Sequence, residues 1–202
     1  MKSNIKKKSA LRENIEAVLW AFVIAMTIRY FIIEPYKIPT GSMYPTLRGV
    51  EKDENGNVIH GGDRILAYKF IYYFTKPKRG DIIIFKTKGI KGIDPEKKRF
   101  VKRLAGLPGE IVEIKEGHLF VNGKVVTEPE IFKKIRYVGD LIDAKYGTTG
   151  HPVKVPENCY YVLGDNSLSS NDSRYWGFVP AKNVIGKAAF IIWPPSRWGV
   201  LK

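Results

Sequence analysis

Ser42 lies in the segment Ile38-Pro39-Thr40-Gly41-Ser42-Met43-Tyr44-Pro45-Thr46-Leu47, a few residues after an apolar stretch. A serine there is a candidate nucleophile, and a nucleophile needs a base. The three histidines, His60, His118 and His151, each adjoin or nearly adjoin glycine or proline in apparent turns. They fit poorly as members of a Ser-His-Asp triad, which leaves lysine as the main candidate base. There is no Gly-x-Ser-x-Gly elbow, no Gly-x-x-x-x-Gly-Lys phosphate loop and no His-Glu-x-x-His metal motif.

Lys102 fits the need. On a strand, Phe100, Lys102 and Leu104 share one face while Val101 and Arg103 take the other, so the amine emerges between apolar side chains. Burial disfavours ammonium. Bringing a lysine from about 10.4 to near 7 or 8 costs roughly 4 kcal/mol, within what an apolar site imposes. Composition by itself favours the plainer reading, a solvated lysine in a chain with 34 Lys and Arg.

The elements that position these residues begin with the apolar run at 17–28, twelve residues without a charge, which resumes after Arg29 and ends at 33. Seventeen residues sit at the short limit for crossing a bilayer. Lys2, Lys6, Lys7, Lys8 and Arg12 precede it, so the positive-inside rule leaves the amino terminus in the cytoplasm and sends the rest outward. The expected organisation is a basic cytoplasmic stretch at 1–14, a single transmembrane anchor at 15–33 and an extracytoplasmic domain at 34–202. A cleaved secretory signal would need a small-x-small cleavage site, and none follows before Pro35. A helix buried in a soluble domain is the other competitor.

The 202 residues are 44% hydrophobic, enough for a folded domain beyond the anchor. Of the net charge of +14, +10 falls on residues 34–202. That excess suits anionic lipid or nucleic acid, or simply a solvated lysine-rich surface. The single cysteine, Cys159, excludes an intrachain disulfide and a multi-cysteine metal site.

Runs rich in β-branched and aromatic residues at 64–70, 81–85, 100–104, 111–114, 119–121, 124–126, 160–163 and 184–193 read as strands. Asn122-Gly123 joins two of them as a two-residue hairpin. The spacing predicts a mainly β fold of antiparallel sheets, with a peripheral insertion at about 115–156.

Four blocks decide between the readings of Lys102. Ser42 to Leu47, Gly62-Asp63-Arg64-Ile65-Leu66, Arg99 to Gly109, and Gly164-Asp165-Asn166-Ser167 with Ser170-Asn171-Asp172-Ser173-Arg174-Tyr175-Trp176-Gly177 resemble the type I signal peptidases of bacteria. They occur in family order behind an amino-terminal anchor. The resemblance implies an antiparallel β peptidase domain whose edge groove takes an extended peptide and admits only small side chains at the first and third positions before the cut. It implies Ser42 as nucleophile, Lys102 as general base, and Thr40 with the Ser42 N–H as oxyanion hole. Ser170 would orient the lysine amine, and Arg103, Asp165, Asp172 and Arg174 would form a polar scaffold; Asp63 would hold a turn. The substrates would be signal peptides of exported preproteins, cut at Ala-x-Ala-like sites by a single-pass bacterial membrane protein facing outward. No cofactor, metal or nucleic acid is implied, the partner besides substrate is the phospholipid bilayer, and the protein would act as a monomer.

Two departures stand out. Ser167-Leu168 follows Gly-Asp-Asn where the family usually has a basic residue, and Thr40 replaces the commoner serine. Met43, Tyr44, Trp193 and Trp198 are candidates for contact with bilayer or substrate, with core packing an equal reading for the two tryptophans. A non-catalytic, membrane-anchored β module that binds peptide or anionic lipid is the alternative of another class. Other serine-lysine peptidases are nearer alternatives, whereas the eukaryotic reticulum branch uses histidine where this chain has Lys102.

Overall fold

A computed structural model describes residues 10–27, 29, 32–94 and 99–201. Most of the basic amino terminus and three positions near the end of the expected anchor (28, 30 and 31) therefore lie outside the described residues. Helix α1 (Ala10–Thr27) opens the chain. Its first two turns carry Arg12, Glu13 and Glu16, and its remaining turns are apolar on every side, with Val18, Trp20 and Phe22 at least 64% exposed. The competing expectation of a helix buried in a soluble core does not describe these side chains. No helix among the described residues is long and apolar enough to cross a membrane.

The strands follow in chain order: β1 (Ile33–Lys37), β2 (Val50–Lys52), β3 (Val58–Gly61), β4 (Arg64–Tyr68), β5 (Ile82–Lys86), β6 (Arg99–Gly106), β7 (Ile111–Lys115), β8 (His118–Val121), β9 (Lys124–Val125), β10 (Val153–Lys154), β11 (Cys159–Leu163), β12 (Val179–Pro180), β13 (Val184–Trp193) and β14 (Gly199–Val200). Short helices α2 (Ile71–Phe74), α3 (Ile131–Lys134) and α4 (Ser173–Trp176) interrupt them. The architecture is mainly antiparallel β. The large sheet runs β1-β4-β13-β5-β6-β11-β12, with β14 also on β13, and a four-stranded sheet runs β10-β7-β8-β9.

Strand β5 reads Ile-Ile-Ile-Phe because both its faces are covered, and all four residues are buried. On one face Ile82 and Ile84 pack with Ile38, Met43, Leu47, Ile65 and Ala67. On the other, Ile83 and Phe85 pack with Leu104, Val162 and Trp176. The span expected as a peripheral insertion shares a core with the strands that flank it, in which Phe132 and Tyr137 pack with Val112, Ile114, Leu119 and Tyr161. Within it Asn122 and Gly123 both have positive φ, 51° and 76°, as a primed two-residue hairpin turn requires.

Strand β1 departs from the expected boundary of the anchor. Ile33 already pairs with Tyr68, so the extended chain begins at the last position assigned to the apolar span. Trp193 and Trp198 are 53% and 68% exposed, which rules out core packing for both, while Met43 is buried in the core.

Candidate active site

Ser42 sits in a single 3-10 turn, Gly41–Met43, that follows β1. Met43 and Leu47, both buried, anchor the turn in the core beneath it. Lys102 projects from the middle of β6, where Ile83 is its cross-strand neighbour on β5. Sixty residues apart in sequence, the two meet: Lys102 Nζ lies 2.7 Å from Ser42 Oγ, and its other bond is to the Val101 carbonyl at 3.2 Å.

Lys102 is 5% exposed, and its amine stands 5.2 Å from the centre of the Phe100 ring. That is the pairing of Phe100 and Lys102 on one face that strand alternation predicts. Burial lowers the Lys102 pKa to about 8, against the opposing attraction of Asp172 and Asp165 and with a further push down from Arg174. A neutral amine in bonding distance of a hydroxyl is able to remove its proton.

A layer of buried charge supports β6 from below. Arg103 clasps Asp165 with two bonds, Nε to Oδ1 at 2.8 Å and Nη2 to Oδ2 at 2.7 Å, and donates to the Gly80 carbonyl at 2.7 Å. Arg174 clasps Asp172 in the same way, both bonds at 2.8 Å, and reaches the Ser167 hydroxyl and carbonyl. All four side chains are fully buried, and planar bidentate geometry is what makes such pairs tolerable away from water. Asp172 also accepts the N–H of Gly164 at 3.0 Å and caps α4 by accepting the N–H of Arg174. Ser167, the departure from the family pattern, is absorbed here: its hydroxyl accepts from Arg174 and from the Val138 N–H, while Leu168 is exposed.

Thr40 Oγ1 lies 3.5 Å from Ser42 Oγ, so both expected oxyanion donors belong to one turn. Ser170 lies against Gly164 near the Ser42 carbonyl, and its Oγ is buried without a hydrogen-bond partner among the described residues. The bond from Ser170 to the amine is thus not formed here, although the position is tightly held. A Cβ on Gly164 would come within 2.1 Å of Ser170 Oγ and 2.5 Å of the Ser42 carbonyl.

Two positioning residues carry little signal in the sequence. The Thr46 hydroxyl donates to Asp165, and the Thr46 carbonyl accepts from Arg197 at 3.0 Å. Arg197 in turn grips the fully buried Asp63, which also accepts the Arg48 N–H at 2.8 Å. Asp63 holds the stretch from Thr46 to Arg48 that follows the Ser42 turn. Thr46 is a common residue beside a proline, and nothing in the local pattern ties Arg197 to a position 134 residues away.

The pair opens into a groove of about 490 Å³. One rim is β1, the edge strand of the large sheet; the other is the first half of β6, whose pairing with β11 involves only its later residues. Ile38, Met43, Ile84, Phe100 and Val101 make its wall largely apolar. Unpaired strand edges on both sides suit an extended peptide. Among the described residues no group of three or more His, Cys, Asp or Glu gathers in a way that could hold a metal ion.

Residues 11–193 match the family described as signal peptidase, peptidase S26. A signal peptidase I of Leptolyngbya laminosa is 37% identical over 98% of this chain and 88% of that protein. One from Bacillus licheniformis is 40% identical over 93% and 91%. The crystal structure of a signal peptidase I from Enterococcus faecalis V583 covers 56% of this chain and 97% of its own, at 36% identity and a TM-score of 0.41. With a matched family spanning nearly the whole length and relatives of this similarity, the chain belongs to the signal peptidases of peptidase family S26 and is a serine peptidase.

Proposed function

We propose that the protein is a membrane-anchored serine endopeptidase that removes signal peptides from exported preproteins at Ala-x-Ala-like sites, with Ser42 as nucleophile and Lys102 as general base. The observation that carries the reading is the 2.7 Å contact between Ser42 Oγ and a buried amine whose pKa is lowered to about 8. Neutral Lys102 takes the hydroxyl proton as Ser42 Oγ bonds to the scissile carbonyl carbon. The oxygen of that carbonyl gains the negative charge, which the Ser42 N–H and the Thr40 hydroxyl stabilise by roughly 3 kcal/mol for each aligned donor. Lys102 then passes its proton to the leaving amine as the C–N bond breaks. Water, deprotonated by the same amine, releases the signal peptide from the serine ester.

Helix α1 supports the anchor. Its apolar side chains are exposed all around, a pattern that lipid covers and water does not. The span is completed by apolar residues beyond Thr27, and the basic flank keeps the amino terminus in the cytoplasm, so the catalytic domain faces outward from a bacterial membrane. The groove accepts the preprotein at the membrane surface, where a signal helix ends. A non-catalytic module has no comparable observation in its favour.

The test incubates detergent-solubilised full-length protein with a preprotein bearing an Ala-x-Ala site and reads the new amino terminus by mass spectrometry. Cleavage after the second Ala is expected, and its loss in both Ser42→Ala and Lys102→Met. No cut by folded wild type would sink the reading, and a cut surviving Lys102→Met would overturn the base assignment.

A further inference from the structure

The groove has two unlike ends. Ser42 and Lys102 occupy one, and the apolar wall leads from them to the other, where Tyr36, Lys37 and Arg99 line it. At that far end the two rims are tied by side chains. Arg99 Nη1 on β6 donates to Glu34 Oε1 at 2.9 Å and to the Tyr36 hydroxyl at 3.2 Å, both on β1, and its guanidinium stands 5.5 Å from the centre of the Tyr36 ring. Lys69 Nζ lies 3.3 Å from the other Glu34 oxygen.

This clasp joins two strand edges that are not paired with each other. Strand neighbours lie about 4.8 Å apart, so an added strand between the rims needs a gap of roughly twice that, a span for side chains rather than backbone bonds. The far end of the groove is also unbalanced in charge. Among the described residues that line this end, Arg99 and Lys37 are cationic and none carries a carboxylate, Glu34 and Lys69 lying outside the lining. Burial pushes the Glu34 carboxyl up, but bonds from Arg99, Tyr36 and Lys69 outweigh it and hold it below its usual value, so the clasp persists into mild acid. Arg99 keeps 47% of its side chain exposed and lines the groove while paired.

Distance along β6 places this charge on the substrate. Arg99 precedes Lys102 by three residues, or about 10 Å of strand. On the peptidase reading the residues before the cut run along the apolar wall, which lies on the Arg99 side of the pair. A peptide whose reacting carbonyl is at Ser42 then brings its fourth residue before the cut level with the Arg99 backbone, and the long guanidinium side chain extends the reach to the fifth and sixth.

Resting on the peptidase reading above, we propose that Arg99 makes this end of the groove a charge-selective subsite, which favours a carboxylate and rejects a cation four to six positions before the cut. The interaction is made equally in the bound substrate and in the transition state, so it acts on KM and leaves kcat nearly unchanged. It weakens with salt, because the guanidinium is half exposed.

The test uses full-length protein in detergent and peptides with one Ala-x-Ala site, differing only by Asp, Asn or Lys at the fourth, fifth or sixth residue before it. At low salt, kcat/KM for Asp should exceed that for Lys by roughly fivefold or more at one of these positions, through KM. The ratio should shrink in 0.5 M salt, fall towards one in Arg99→Gln and survive in Arg99→Lys, which keeps the charge. Because each ratio is taken within one variant, a general loss of activity cancels. Equal rates for Asp and Lys at all three positions in the wild type would overturn the proposal, as would a ratio that Arg99→Gln leaves intact. Failure to cut even the Asn peptides would overturn the peptidase reading, and this subsite with it.

Discussion

Thr46 donates its hydroxyl hydrogen to Asp165 across 119 positions of the chain, and so ties the turn that carries Ser42 to the strand that carries Lys102. Asp165 is itself fixed by Arg103, the residue after Lys102. The separation of hydroxyl and amine is thereby set by a buried frame and not by two flexible side chains meeting. Thr46→Val keeps the shape and removes the donor. Asp165 retains both Arg103 bonds, so the stability loss should be on the order of 1 kcal/mol. The kinetic loss should be larger, tenfold or more in kcat with little change in KM, because a small misplacement of a reacting pair is costly. Thr46→Ser should restore it. Steady-state kinetics beside thermal melts check this, and an unchanged kcat in the valine variant would show the bond to be idle.

The lowered pKa of Lys102 gives two pH signatures with definite signs. In the free enzyme only the neutral amine accepts the serine proton, so kcat/KM should rise about tenfold per pH unit below 8 and level off above it. Stability moves the same way. Folded Lys102 titrates near 8 and an unfolded lysine near 10.5, so between these values the unfolded chain holds the extra proton. Stability attributable to this group therefore increases from pH 8 to 10.5, while below pH 8 the whole burial penalty, on the order of 3 kcal/mol, remains. Lys102→Met should be inactive, more stable than wild type at pH 7, and without that rise. Denaturant unfolding of both proteins at pH 7, 9 and 10.5 isolates the difference, and parallel curves would refute the shift.

The legible parts of the fold are those where one segment's side chains declare their surroundings. Ile82 to Phe85, buried on both faces, and the run at β13 read as strands because β-branched and aromatic residues are dense there. Lys102 could be placed beside Phe100 from alternation alone. Strand β1 was not legible: Glu34, Pro35 and Lys37 interrupt it, a composition that an edge strand tolerates and a central strand does not. The two-residue strands β10, β12 and β14 are shorter than any periodicity can show. In the site, Ser42 stood out by its place after the apolar run, while Lys102 and the scaffold of Arg103, Asp165, Asp172 and Arg174 were named through the resemblance of the four blocks, and which arginine pairs with which aspartate was not legible. Thr46, Arg197 and the Arg99 clasp were not legible either, because each acts through a partner brought from a distant part of the chain.

Arg197 shows how far such a partner reaches. Asp63 is fully buried, and its carboxylate is neutralised by Arg197 through Nε at 3.0 and 3.2 Å and Nη2 at 3.1 Å, while the same nitrogen holds the Thr46 carbonyl. Arg197→Met should strand that charge and cost about 3 kcal/mol. Adding Asp63→Asn should recover part of the loss, since the pair shares one interaction. Chemical unfolding of the two single variants and the double variant measures the coupling, and additive losses would show that the two residues act independently.

Gly164 is the position where sequence and site geometry constrain each other most tightly. Its missing side chain leaves room for Ser170 Oγ and the Ser42 carbonyl, which a Cβ would approach to 2.1 and 2.5 Å. Its N–H meanwhile bonds to Asp172, so the backbone cannot retreat without loosening the Arg174 clasp. Gly164→Ala must therefore displace Ser170 or lift the Ser42 turn. Lifting the turn lengthens the 2.7 Å contact on which proton transfer depends. The expected result is a loss of at least a hundredfold in kcat, with a fall in stability of about 1 to 3 kcal/mol from overpacking. Gly164→Ala combined with Ser170→Gly, which vacates the clashing hydroxyl and Cβ, should regain stability before it regains rate, because the Ser42 carbonyl contact persists. Full activity in the single alanine variant would mean that the turn has slack the structure does not show.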